Sequence, residues 1–208
     1  RVMNIRLENI GKRYDADWIF RGITSEFTAN SVYGLIGFNG SGKSTLLQII
    51  SGFITPTEGT ILFDDGRVKV ESVFRSLSLA GPYISLPVEL TVQEAADSHF
   101  KHKPFISSYT PKSVLDEVQL SKHKDKQLSK LSSGMRQRLA LALAIYSDST
   151  LLLLDEPCAN LDSNWSDWFN RCIESQKADR TIIISSNSQE VELENVTEPV
   201  LNVSQFNP

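Results

Sequence analysis

The 208-residue chain reads as an α/β fold with an antiparallel β subdomain and an inserted helical segment, and three observations predict it. An apolar run enters a glycine-rich turn and then a helical pattern at "SVYGLIGFNGSGKSTLLQIISG". Helical signals replace strand signals between about residues 85 and 140. From Leu151 onward strand and helix signals alternate again, the pattern of a parallel sheet with crossover helices. The organisation expected is one domain over residues 1–208, its helical insertion at about 85–140.

Taken in order, "RVMNIRLENIGKRY" predicts a strand with a turn at Gly11, and a second strand pair follows around Phe20–Phe27. "KSTLLQIISG" predicts a short helix stopped by Gly52 at the C′ position. "TEGTILFDDGRVK" predicts a hairpin turning at Asp64-Asp65-Gly66. In the insertion, Thr91 and Glu94 form a capping-box pattern, and Thr110-Pro111 pairs a cap with proline at N1. Ile182, Ile183 and Ile184 are β-branched and predict a buried strand that runs into Ser185, Ser186, Asn187 and Ser188. Beyond about Glu190 the pattern is weak and predicts no particular element.

Composition narrows the function classes. Hydrophobic content of 40% and charged content of 22% are those of a soluble globular protein. A net charge of −4 gives no general attraction to nucleic acid, so no nucleic-acid partner is expected. No apolar run approaches the ~18 residues that span a bilayer, and no signal peptide is visible. Service to a membrane would therefore run through another chain. Two cysteines, Cys158 and Cys172, fit a reducing compartment better than a disulfide framework. Without a secretion signal, Asn195-Val-Thr and Asn202-Val-Ser read as chance matches to a glycosylation pattern.

Two motifs carry chemistry. Residues 37–44, "GFNGSGKS", match G-x-x-x-x-G-K-[ST] in full, between a predicted strand and a predicted helix. Its glycines let successive backbone N–H groups point at a triphosphate, and the helix start adds its positive end. Phe38, Asn39, Gly40, Ser41 and Gly42 would cradle the phosphates. Lys43 would reach the β- and γ-phosphates, Ser44 would ligate Mg²⁺, and Thr45 would sit near the α-phosphate. The second motif is "TLLLLDEP", where a strand apolar on both faces ends in Asp155 and Glu156. Carboxylates there are costly unless a cation or hydrogen bonds meet them. Asp155 suits an Mg²⁺ role and Glu156 a general base that polarises the attacking water.

"KLSSGMRQRLALALAI", lying between the helical insertion and the acidic strand, then makes a resemblance specific. It is similar to the L-S-G-G-Q signature of ABC-type ATPases, read here as Leu131-Ser132-Ser133-Gly134-Met135. "PCANLD" resembles that family's D-loop, and Tyr14 lies where the family stacks an aromatic ring on adenine. The order of motifs covers nearly the whole chain. The resemblance implies a P-loop NTPase core of ABC-ATPase type, with ATP and Mg²⁺ as cofactors. It also implies a homo- or heterodimer sandwiching two ATP molecules, in which Ser132 and Gly134 face the other copy's γ-phosphate. The partner implied is a transmembrane permease on a separate chain, which would place this one in the cytoplasm at the inner face of the membrane. The segment from Gly81 to Leu90 would face that permease.

Four positions depart from the family pattern. Ser133 replaces a glycine and Met135 a glutamine. Pro82 falls where the family has a glutamine that contacts Mg²⁺ and water, and proline has no donor to offer. At the end of the last core strand the family's histidine is replaced by Ser186, followed by Asn187; the serine hydroxyl is shorter and uncharged, so a water-bridged γ-phosphate contact is expected rather than a direct one. Because Lys43, Ser44, Asp155 and Glu156 are all present, the expectation is intact ATP binding with hydrolysis that is slow or partner-dependent. Two alternatives stay open: a non-catalytic nucleotide sensor, and a soluble ABC ATPase not linked to transport. His99, His102 and His123 lie in lysine-bearing stretches and read as a solvated face.

Overall fold

The computed structural model describes residues 3–106, 108–187 and 190–208. Strand β1 (Ile5–Tyr14) and strand β2 (Asp17–Phe27) form an antiparallel ladder. The expected turn at Gly11 does not occur, because β1 passes through it. The extra residues are absorbed as irregularities between Leu7 and Arg13, and the chain reverses at Asp15, which takes φ 51°. Strand β3 (Val32–Ile36) leads into the glycine-rich loop and helix α1 (Lys43–Ile50). As expected, Gly52 follows α1 with φ +77°, its N–H on the Ile49 carbonyl.

Strand β4 (Glu58–Phe63) pairs with β1, giving a three-stranded sheet in the order β2-β1-β4. The predicted hairpin at Asp64–Gly66 is reduced to a 3₁₀ turn and one bridge from Phe63 to Val68. Strand β5 (Leu77–Ala80) enters the second sheet, and helices α2 (Val92–His102) and α3 (Pro111–Glu117) follow. Both predicted caps are made: Thr91 and Glu94 bond reciprocally, and Thr110 accepts from the Ser113 amide with Pro111 at N1. Helix α4 (Ser133–Ile145) is capped by Ser132. Strand β6 (Leu151–Asp155), helix α5 (Ser163–Gln176) and strand β7 (Thr181–Ser185) complete the core. The tail folds back as α6 (Glu190–Leu193) and a short strand β8 (Leu201–Asn202).

The second sheet is parallel in the order β5-β6-β7-β3-β8. Its central strands are buried on both faces, which is why they read as unbroken Leu and Ile runs. Leu151, Leu153 and Ile183 join a core with α1 and the antiparallel sheet. Leu152, Leu154, Ile182 and Ile184 join a second core with α2, α3, α4 and α5. Each such side chain contributes about 2 kcal/mol of burial, so the sheet is held from both sides. The consequence for function is positional: the carboxyl ends of β3, β6 and β7 are fixed side by side, and that edge is where open α/β sheets bind ligands.

Candidate functional site

The loop after β3 is shaped by two glycines that no other residue could replace. Gly37 has φ +151°, and a Cβ there would lie 2.5 Å from Ser41 Oγ and 2.6 Å from Ser204 Oγ. Gly42 has φ +99°, and a Cβ would strike Ile19 and Phe20 of β2, each at 2.6 Å. The antiparallel sheet thus presses directly on the start of α1. A cavity of about 370 Å³ opens beside the loop, lined by Ile19, Asn39, Gly40, Gly42, Lys43, Ser44, Thr45, Glu156 and Asn187.

Lys43 is buried, and its Nζ donates to Gly37 O at 2.9 Å, Phe38 O at 3.2 Å and Asn187 Oδ1 at 2.7 Å. Burial pushes its ammonium below the ordinary lysine value, against the opposing pull of Glu156, Asp155 and Glu192. Glu156 sits just past β6 with φ 48°, strained for a non-glycine residue. Its amide donates to Ser185 O at 2.9 Å, and its Oε1 accepts from Asn187 Nδ2 at 2.6 Å.

Asp155 is 1% exposed, and neither carboxylate oxygen has a hydrogen-bond partner among the described residues. A buried carboxylate with two free oxygens is strongly disfavoured unless a cation meets it, so the donor set suits a hard divalent ion shared with the Ser44 hydroxyl.

Sequence reasoning placed the phosphate contact at Ser186, and the geometry corrects it. Ser186 is fully buried; its amide donates to Leu35 O at 2.9 Å and its hydroxyl bonds the Glu192 carboxylate. The next residue, Asn187, reaches the cavity instead. Side chains alternate along β7, Ile182 and Ile184 toward one core and Ile183 toward the other, so adjacent residues at its end reach different surroundings.

Other expected positions divide. Asn39, Gly40, Gly42, Lys43, Ser44 and Thr45 line the cavity, whereas Ser41 is buried beneath it and Phe38 projects outward, 62% exposed. Tyr14 is about half exposed, off the cavity wall, with Lys12 Nζ 5.0 Å from its ring centroid. Ile19 forms part of the wall and gave no sequence signal beyond its place in a strand. Pro82 is exposed, while the neighbouring Tyr83 buries its hydroxyl near Asp155, and burial raises its pKa.

The histidines are not all solvated. His99 is half-buried, with Nε2 2.7 Å from Ser147 Oγ, and burial pushes it down to about 4, Lys103 adding to the effect.

Ser132 and Gly134 lie elsewhere, in a separate pocket of about 160 Å³ shared with Met135, Arg138, Asn160, Asp162 and Trp165. Ser132 Oγ accepts from the Met135 amide at 3.2 Å, and a Cβ on Gly134 would meet Asn160 O at 3.1 Å. No residue lines both pockets. The segment from Glu156 to Asp162 connects them.

A profile of the ABC transporter family matches residues 20–159. The chain is 31% identical over 207 residues to the phosphonates import ATP-binding protein PhnC 1 of Rhodopseudomonas palustris, covering 91% of this chain and 74% of that protein. It is 32% identical over 185 residues to the lantibiotic transport ATP-binding protein SrtF of Streptococcus pyogenes, covering 88% and 79%. Its fold matches the dimeric structure of a bacterial ABC transporter cassette with a TM-score of 0.81 at 20% identity, over 96% of this chain and 95% of that one. The chain belongs to the ABC transporter family and has the fold of its ATP-binding cassettes.

Proposed function

We propose that the chain binds Mg²⁺-ATP and hydrolyses it, acting as the ATP-binding subunit of a transporter whose permease is a separate chain. The observation that carries the reading is the meeting of three features at one sheet edge. They are a glycine-rich loop with a buried lysine, an Asp155 carboxylate whose oxygens have no partner among the described residues, and Glu156 on the cavity wall. The loop amides and the positive end of α1 would bind the phosphates, and Lys43 would offset their charge. Ser44 and Asp155 would hold magnesium, which would supply charge neutralisation at the phosphates. Glu156 would take a proton from water as general base.

Because Ser132 and Gly134 face a pocket of their own, the reading includes a pair of copies, or of related chains, arranged head to tail. One copy's signature would then complete the other's phosphate site. The permease would sit on a groove of about 560 Å³ lined by Phe74, Leu79, Leu86, Pro87, Leu90 and His102. Among the described residues, no helix is long and apolar enough to cross a membrane. On this reading the subunit is peripheral at the inner face, and residues 1–208 form one domain.

The test is Mg²⁺-dependent ATP turnover by the purified chain. Glu156→Gln is expected to keep nucleotide binding and lose about 10²-fold or more in turnover, and Lys43→Ala to weaken binding itself. Binding without any turnover would favour a second reading, a nucleotide sensor, for which the donorless Pro82 and the absent histidine speak.

A further inference from the structure

Among the described residues, Asn187 is the side chain that bonds both Lys43 and the candidate base, and its polarity is fixed by what it touches. An ammonium only donates and a carboxylate only accepts, so Oδ1 faces Lys43 and Nδ2 faces Glu156. Both bonds, at 2.7 and 2.6 Å, are charge-assisted. Lys43 has three N–H donors, and three acceptors hold it: Gly37 O, Phe38 O and Asn187 Oδ1. A phosphate oxygen therefore gains Lys43 only when one of them lets go. Two are backbone carbonyls of the loop, whereas the third is the end of a rotatable side chain. The residue before it is anchored: the Ser186 amide is on Leu35 O and its hydroxyl is on Glu192, which in turn accepts from the Cys158 amide at 2.9 Å. Glu156 is anchored through Ser185 O.

We infer that Asn187 is a carboxamide clasp, a positioning residue that ties Lys43 to Glu156 while the site is empty and is opened by the terminal phosphate of ATP. The phosphate takes Lys43 from Oδ1, and Nδ2 stays on Glu156 to aim its carboxylate at water. An amide does not titrate in the ordinary pH range, so ligand rather than protons works the clasp. The inference rests on the ATPase reading above and adds how that site is held at rest.

The experiment measures binding of a fluorescent ATP analogue and steady-state ATP turnover for the wild type, Asn187→Ala and Asn187→His, with circular dichroism as the folding check. Asn187→Ala is expected to bind the analogue as tightly as the wild type or a few-fold tighter, because Lys43 is released. Its kcat is expected to fall about 10- to 100-fold, because Glu156 is no longer aimed. In Asn187→His, kcat is expected to acquire a pH limb near the imidazole value of about 6.5, which the wild type lacks. The clasp is overturned if Asn187→Ala loses binding and kcat together, if it leaves kcat unchanged, or if the wild type already shows that limb. If the wild type binds no nucleotide, the ATPase reading fails and the clasp with it. If the wild type binds and turns over ATP while both variants match it, the clasp alone fails.

Discussion

His99 makes a pH-dependent contribution to stability that can be calculated and isolated. Its ring stacks on Phe105 at 5.7 Å and its Nε2 lies 2.7 Å from Ser147 Oγ. That hydroxyl spends its one proton on Leu143 O at 2.6 Å, so His99 must be the donor to Ser147. With burial holding the folded value at about 4 against an ordinary 6.5, the unfolded chain binds the extra proton between those values. Stability is therefore fully present above 6.5 and is lost as the pH falls toward 4. Between about pH 7.5 and about pH 5 the linkage is worth about 2 kcal/mol, and the open side of the groove reduces that to about 1–2 kcal/mol. The perturbation is His99→Gln, whose amide can still donate to Ser147 but cannot titrate. Urea unfolding of both proteins at both pH values gives a double difference in which the shared carboxylates cancel. The wild type should lose about 1–2 kcal/mol more than the variant on acidification. Equal losses, or a larger loss in the variant, would refute the assignment of a neutral, half-buried His99.

Glu192 should behave in the opposite sense. Burial raises its carboxyl above the ordinary 4.5, with Glu156 and Asp155 adding to the rise, so stability should fall as the pH rises through that raised value. Melting temperature against pH should show this fall in the wild type and not in Glu192→Gln. Gly134→Ala would press a methyl onto Asn160 O and displace the segment leading to Asp162. Analogue binding should survive this change, while turnover drops. Arg180 is 4% exposed and donates to Ser147 O, Ser149 Oγ, Ile145 O and Gln176 Oε1. Arg180→Met would strip buried carbonyls of their donor and should cost about 2–4 kcal/mol by urea unfolding. A loss below the measurement error would show that those carbonyls find water.

The parts of the site that were legible in sequence are those encoded by local spacing. The loop from Gly37 to Ser44 needs its glycines and lysine at fixed offsets, and "LLLLDE" places two carboxylates at a strand tip whatever surrounds them. What depends on where a strand ends was not legible. The isoleucine run does not reveal which of the polar residues that follow it, Ser186 or Asn187, reaches the cavity. His99 was hidden by its lysine and histidine neighbours, although it falls at i+7 from Val92, on the side of α2 that carries the buried Val92, Ala95 and Ala96. The turn expected at Gly11 failed because a β-bulge and a turn draw on the same residue type. Glu192 lay in a stretch without periodicity, and only the fold shows it reaching the Cys158 amide.

The alternation of β6 between two cores turns residue parity into an address. Leu151 and Leu153 report to the compartment that holds α1, and Leu152 and Leu154 to the one that holds α4. Neighbouring truncations of equal chemistry therefore act as matched probes. Leu153→Ala loosens the packing beneath α1, and Leu152→Ala the packing beside α4. On the proposed reading, in which each copy supplies half of two sites, the chain can be softened on either side of a partition one residue thick, with the other side as its internal reference.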